Sequence, residues 1–167
     1  GTNSGIDMKL TLTDDGKEGF EAIFTDDIAG WQLVSLPWEL FTRSSWQPDG
    51  APNDGLTLTA VSAYGFFLIP GASGQLYFDN VKLFETPVNM VDDFEALDFG
   101  EWYWDADWAN TAMTTTVVTE PQMTVHGQFT NTIFSLEFVS GGWGGSTGHN
   151  LPTPQDWSAY NGISFWM

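Results

Sequence analysis

The stretch IDMKLTLT, residues 6–13, alternates without a break: Ile6, Met8, Leu10 and Leu12 fall on one side, Asp7, Lys9, Thr11 and Thr13 on the other. A period of two belongs to a strand with one face buried and the other wet. The turn residues DDGKEG come next and then FEAIF. The first two strands are therefore expected to form a hairpin, with Asp14, Asp15 and Gly16 tolerating the positive φ of a tight turn. The same pattern continues down the chain. GWQLVSLPW reads as a third strand stopped at Pro37, which has no N–H to give a central ladder. LTLTAVSAYGFFLIPG and GQLYFDNVKLF read as two more, flanking a Gly-Ala-Ser-Gly turn. GEWYWDADW, TAMTTTVVT, MTVHGQFTNTIFSLEFVS and GISFWM supply the rest. FTRSSWQPDGAPNDG and GGWGGSTGHNLPTPQDWSAYN read as long loops, and loops above about 12 residues in a compact domain are usually functional or mobile. No helical apolar period persists over three turns. Short strands at roughly 8 to 12 residue spacing predict an all-β sandwich or barrel.

Charge excludes partners before it names one. Lys plus Arg number 4 against 22 Asp plus Glu, a formal net charge of -18. Such a surface repels phosphate backbones and anionic lipid, so no nucleic acid and no acidic membrane is expected as a partner. It suits a protein at the cell surface or outside the cell, kept soluble by self-repulsion, or one that takes up divalent cations. There is no cysteine, so thiol chemistry is absent and the core must hold the fold, for which 167 residues are enough. No apolar run approaches the roughly 20 residues of a membrane helix, and no membrane insertion is expected. The chain opens on Gly1 without a charged and apolar leader, and reads as processed or excised.

The stretch FDNVKLFETPVNMVDDFEAL, residues 78–97, joins what reads as the last strand of a domain to what reads as the first. Taken from Val91 onward and wrapped to the start, the order is VDDFEA, LEFVSGGWGG, DWSAYNGISFWM, GTNSGIDMKLTLTDDG, GWQLVSLPWELF, GAPNDGLTLTAVSAYGFFL and GQLYFDNVKLF. In that order the chain resembles carbohydrate-binding modules of the galactose-binding-like jelly-roll type, close to family 11 and the related complex-I-intermediate-associated domains. The resemblance implies a jelly-roll β-sandwich of two antiparallel sheets with displaced chain ends. Residues 1–86 would be its back half, 87–90 the junction and 91–167 its front half.

Two arrangements fit this order. Either one domain is circularly permuted, its family termini joined by ETPVN and its new ends at a hairpin tip, or the chain is one register of a tandem array. No shorter internal repeat is found. The array is favoured, because a chain ending on SFWM leaves an apolar strand edge that a following copy would cover. In both arrangements the closing and opening strands are expected to be neighbours in a continuous sheet. The expected role is a non-catalytic secreted module serving as the repeat unit of an extracellular fibre or tandem surface protein, its partners being head-to-tail copies of itself. The alternative is a glycan-binding module appended to a polysaccharide-degrading enzyme, with polysaccharide as the partner.

Asp79, Asp93 and Glu95 match positions where the family commonly holds a structural calcium, an ion that takes hard oxygen ligands; a solvated acidic corner is the plainer reading of the same residues. Trp46, Trp102, Trp104 and Trp143 are candidates for a glycan-stacking platform, Trp102 and Trp104 sharing a strand face. Trp31, Trp38, Trp157 and Trp166 sit inside strand patterns and are expected in the core. GGSTG, residues 144–148, matches the G-x-S-x-G pattern and precedes His149. The residues after it cannot form the helix that a nucleophile elbow needs, so no catalytic residue is assigned. His126 and His149 lack zinc-site spacing. No N-glycosylation sequon is present, and the Thr-rich run from Thr111 to Thr119 reads as strand surface.

Overall fold

The computed structural model describes residues 3–68, 70–71, 73–85, 89–94, 102–105, 112–118, 124–125, 128–129, 133–139 and 144–167. Its strands are β1 (Asp7–Asp14), β2 (Gly19–Thr25), β3 (Leu33–Pro37), β4 (Thr42–Arg43), β5 (Val61–Leu68), β6 (Ser73–Phe84), β7 (Asn89–Asp92), β8 (Trp102–Asp105), β9 (Ala112–Val118), β10 (Thr124–Val125), β11 (Gln128–Phe129), β12 (Ile133–Val139), β13 (Gly145–Gln155) and β14 (Gly162–Trp166). One sheet runs β4-β2-β1-β5-β13-β8 and the other β3-β14-β6-β12-β9, with β7 also paired to β6; β10 and β11 form a separate pair. Every pairing between described strands is antiparallel. The all-β fold of two antiparallel sheets expected from the sequence is present.

The inward rows close the sandwich. Met8, Leu10 and Leu12 of β1 are fully buried and lie beside Leu68, Phe66 and Tyr64 of β5. Across the interior stand Phe78 and Leu83 of β6, Phe134 and Leu136 of β12, and Ile163 and Phe165 of β14. Phe66 stacks on Phe78 at 3.9 Å between centroids, and Phe165 meets both Phe24 and Phe66 edge-on at 5.1 Å. Each buried ring of this kind contributes on the order of 2 kcal/mol through the apolar surface it removes from water, with a further increment for ring geometry. Trp157 is fully buried and Trp38, half-buried, stacks on it at 6.3 Å; Trp31 and Trp166 are half-buried.

Four details depart from the expectations. The predicted loop 141–161 contains β13, which lies between β5 and β8 in the first sheet. Its residues look loop-like because Gly148 must face Gly65 at close quarters, while Pro152 and Pro154 fall where pairing to β5 is interrupted, between Asn150 and Gln155. Proline there removes no ladder hydrogen bond. Secondly, the hairpin turn places its positive φ at Lys17 (64°), not at Asp14, Asp15 or Gly16. The Lys17 N–H donates to Asp14 O and Asp14 N–H donates to Glu18 O, a type I turn followed by a left-handed residue. Thirdly, residues 58–60 form a 3-10 turn, and the strand expected to begin at Leu56 starts at Val61.

Finally, β1 and β14 are not neighbours in one sheet. β1 lies between β2 and β5, and β14 lies between β3 and β6 in the opposite sheet. The apolar closing strand is thus paired on both sides within the chain, and Met167 continues the pairing through reciprocal backbone bonds with Gln32. The segment before β1 is tied down separately. Buried Asp26 accepts the N–H groups of Asn3 and Ser4 and the Ser4 hydroxyl.

Candidate functional site

Trp46 stands 72% exposed at the β4 edge of the first sheet, on the long loop singled out in the sequence. A side chain of this size is normally buried to a large extent, so its presentation to water asks for a reason. The loop beneath it is fastened on both sides. Ser44 N–H donates to Gly19 O at 2.9 Å, continuing the β2–β4 pairing by one bond. The Gln47 carboxamide then meets the same glycine twice, accepting Gly19 N–H at 2.8 Å and donating to Gly19 O at 2.7 Å. It also donates to Ser44 O at 3.0 Å. Further along, Ala51 N–H closes a turn on Pro48 O with Gly50 at φ 82°, the conformation that requires glycine at its third position.

An ion pair with a buried carboxylate holds the same corner. The Arg43 Nε–H donates to Glu18, whose side chain is fully buried, and Arg43 Nη2 donates to Pro52 O at 2.8 Å. Asp14, also buried, accepts Glu18 N–H at 3.0 Å and Thr57 N–H at 3.4 Å. The β1–β2 hairpin and both ends of the Trp46 loop therefore share one polar anchor.

From this edge a row of outward-facing positions crosses the sheet. Thr42 pairs with Glu21, Glu21 with Thr11, Thr11 with Gly65, and Gly65 with Gly148. The two glycines are buried, with Thr11 Oγ1 donating to Gly65 O at 3.1 Å, so the open part of the row ends at Thr11. In the adjacent row Lys9 bridges Glu21 at 2.7 Å and lies 5.5 Å from the Phe67 ring centroid, beside exposed Ile23. The sheet thus presents hydroxyl, carboxylate and ammonium groups, and the loop after β4 an exposed indole; groups of these kinds can bind a polar, ring-shaped ligand, and they include no nucleophile with a base.

The other predicted platform residues fall elsewhere. β8 pairs Trp102 with His149 and Trp104 with Thr147, in the rows of Tyr64 and Phe66, whereas Tyr103 pairs with Gly148 in the row of Thr11 and Glu21. β8 is the opposite edge of the sheet from β4. Five strand spacings of about 4.8 Å separate them, roughly 24 Å. Trp143 and Glu95 lie outside the described residues. Asp79 is fully buried, its Oδ1 accepting Asn80 N–H at 2.7 Å, and Asp93 is exposed. Among the described residues no three carboxylates or imidazoles gather as a metal centre.

One polar cluster was not legible in the sequence. Asp92 of β7 accepts the Tyr64 hydroxyl at 3.2 Å, faces His149 Nδ1 at 3.2 Å and accepts Phe94 N–H at 2.8 Å. Burial, then the Asp92 charge, then the hydrogen bond to it hold the Tyr64 phenol well above its usual range. Tyr64 and His149 come from one sheet and Asp92 from the other, so the cluster fastens the two layers. Ser146 lies within β13 near its start, three residues from His149 and therefore on the opposite face; the G-x-S-x-G reading has no geometry to act with.

The family model described as carbohydrate binding domain (family 11) matches the chain in two segments, residues 1–86 and 85–167. No curated protein and no solved structure matches it.

Proposed function

Since the chain belongs to the family-11 carbohydrate-binding domains, we propose that it is a non-catalytic glycan-binding module whose contact surface is Trp46 together with Thr42, Glu21 and Thr11. The observation that carries this reading is a tryptophan 72% exposed on a loop fastened by Gln47 and Ser44. An indole presents a flat apolar face to the C–H side of a pyranose, and the neighbouring Thr and Glu oxygens bind its hydroxyls. Trp102 and Trp104 pair into the rows of buried Tyr64 and Phe66, and the proposed surface does not include them.

Affinity electrophoresis through gels containing soluble glucans, xylans or mannans tests the reading. Trp46→Ala is expected to abolish the retardation that the natural chain shows with at least one of them. Equal retardation of both, or retardation of neither by any polysaccharide, overturns it.

The match of two segments to one family model supports the view that the family order enters this chain displaced, in a jelly-roll of permuted connectivity. Both segments contribute to one core cluster, which supports a permuted domain ahead of two half-domains of an array. Such a module belongs outside the cell, where polysaccharide is met, attached to a polysaccharide-degrading enzyme. The reading as a repeat unit joined head to tail has weaker support, because Gly162–Trp166, the strand it would use for joining, is paired on both sides within the chain. A structural calcium at Asp79, Asp93 and Glu95 is part of the proposal on the strength of the family resemblance alone, Asp79 being buried and Asp93 exposed.

A further inference from the structure

We infer that Gln47 is a positioning residue for glycan binding, its carboxamide acting as a substitute strand that holds Trp46 in its presented conformation; this rests on the reading of Trp46 as the contact residue. Gly19 opens β2 next to the β4 edge, and β4 itself is only Thr42–Arg43. A third residue of β4 would be expected to satisfy Gly19 in the ladder. Ser44 N–H reaches Gly19 O but leaves Gly19 N–H unmet by β4, and the Gln47 side chain completes the pairing, taking Gly19 N–H on Oε1 and giving a second Nε2–H bond to Gly19 O, the donor and acceptor pattern of a peptide group. Its second Nε2 proton goes to Ser44 O, across the residues that carry Trp46.

The chain from 44 to 47 is thereby closed into a small loop whose two ends share Gly19 O. Only Ser45 and Trp46 lie between the fixed points, and both are exposed. The main chain can then present the indole without finding a strand partner of its own. The Arg43–Glu18 pair and the Arg43 bond to Pro52 O fasten the flanks but touch neither Ser45 nor Trp46, which leaves Gln47 as the group that sets the loop between them.

A loop that is already ordered binds without first having to be ordered, and the apparent dissociation constant rises by the inverse of the fraction still presenting Trp46. The test uses the whole chain with Gln47→Met, which keeps length and loses the polar atoms, and Gln47→Glu. A glutamate carboxylate accepts but cannot donate, whereas its protonated form offers one donor and one acceptor and restores the two bonds to Gly19.

Two measurements are made: the 15N heteronuclear NOE of the Trp46 backbone amide in the free protein, and affinity for the polysaccharide that retards the natural chain, at pH 7.5 and at pH 4, below the ordinary glutamate range of about 4.3. Gln47→Met is expected to lower the NOE and to weaken binding about five- to tenfold at both pH values. Gln47→Glu should match it at pH 7.5 and recover toward the natural chain at pH 4, where the carboxyl is mostly protonated, a recovery that a general loss of stability would not produce. An unchanged NOE and affinity in Gln47→Met, or no recovery of Gln47→Glu relative to Gln47→Met, overturns the inference. If the natural chain binds no polysaccharide, the glycan-binding reading fails, while the NOE comparison still decides whether Gln47 orders Trp46.

Discussion

Adding one methyl group at Gly65 tests the placement of β13, the strand that local sequence most obscured. Gly65 is buried in β5 opposite Gly148, and a Cβ there would stand 2.7 Å from Thr147 O and 3.0 Å from Gly148 Cα. Both are backbone atoms, so relief requires β13 to move away from β5. Overpacking of this kind typically costs about 1–3 kcal/mol. Alanine recovers roughly 0.5–1 kcal/mol of backbone entropy relative to glycine in a strand. The net loss for Gly65→Ala is then about 1–2 kcal/mol, which for a domain of this size lowers Tm by roughly 2–8 °C. Gly74→Ala in β6 is the control, because its Cβ would meet nothing nearer than Phe138 at 3.9 Å; it should be neutral or stabilising. Urea melts of both variants, with scanning calorimetry, give the difference, expected near 2 kcal/mol at an unchanged m-value. If Gly65→Ala is as stable as Gly74→Ala, β13 does not press against β5 and the first sheet is wrongly assembled.

The Tyr64 phenol, held above its usual range, keeps its proton in the folded chain at pH values where the unfolded chain loses it. Its contribution to stability is complete below about pH 10 and declines as pH rises beyond that value. Tyr64→Phe should therefore flatten the fall in urea midpoint above about pH 10, and an equally steep fall would refute the assignment. Trp157→Ala removes a fully buried ring stacked on Trp38 and is expected to cost about 3–5 kcal/mol, with loss of near-ultraviolet circular dichroism; a cost below about 1 kcal/mol would contradict the packing. If Asp79, Asp93 and Glu95 hold calcium, EDTA lowers Tm in the natural chain and leaves an Asp79→Asn variant unaffected; an EDTA-insensitive natural chain removes the metal.

Much of the fold was legible because period-two alternation is a local signal. β1, β2, β3, β6 and β14 follow apolar patterns that only a half-buried or fully buried strand requires. β13 carries no such pattern. Its Ser146, Thr147 and Gly148 are buried because Phe66, Phe67 and Gly65 lie beside them, a fact about neighbours distant in sequence. Of the proposed contact residues, Trp46 was visible as an aromatic in a polar loop. Gln47 was not, since a glutamine beside a tryptophan follows no pattern until Gly19 is brought opposite it. His149 looked solitary in the chain and acquires Asp92 and Tyr64 only when the two layers close.

The amino-acid sequence by itself determined an acidic, cysteine-free all-β chain, because charge, composition and side-chain alternation are properties of each residue and its nearest neighbours. Only the tertiary structure decided that the closing strand is interior, that β4 and β8 are opposite edges, and that Trp46 is clamped while Trp157 is buried. Strand order and burial depend on which segments pair across long stretches of chain, and identical residues such as these two tryptophans take opposite roles according to what the pairing sets beside them.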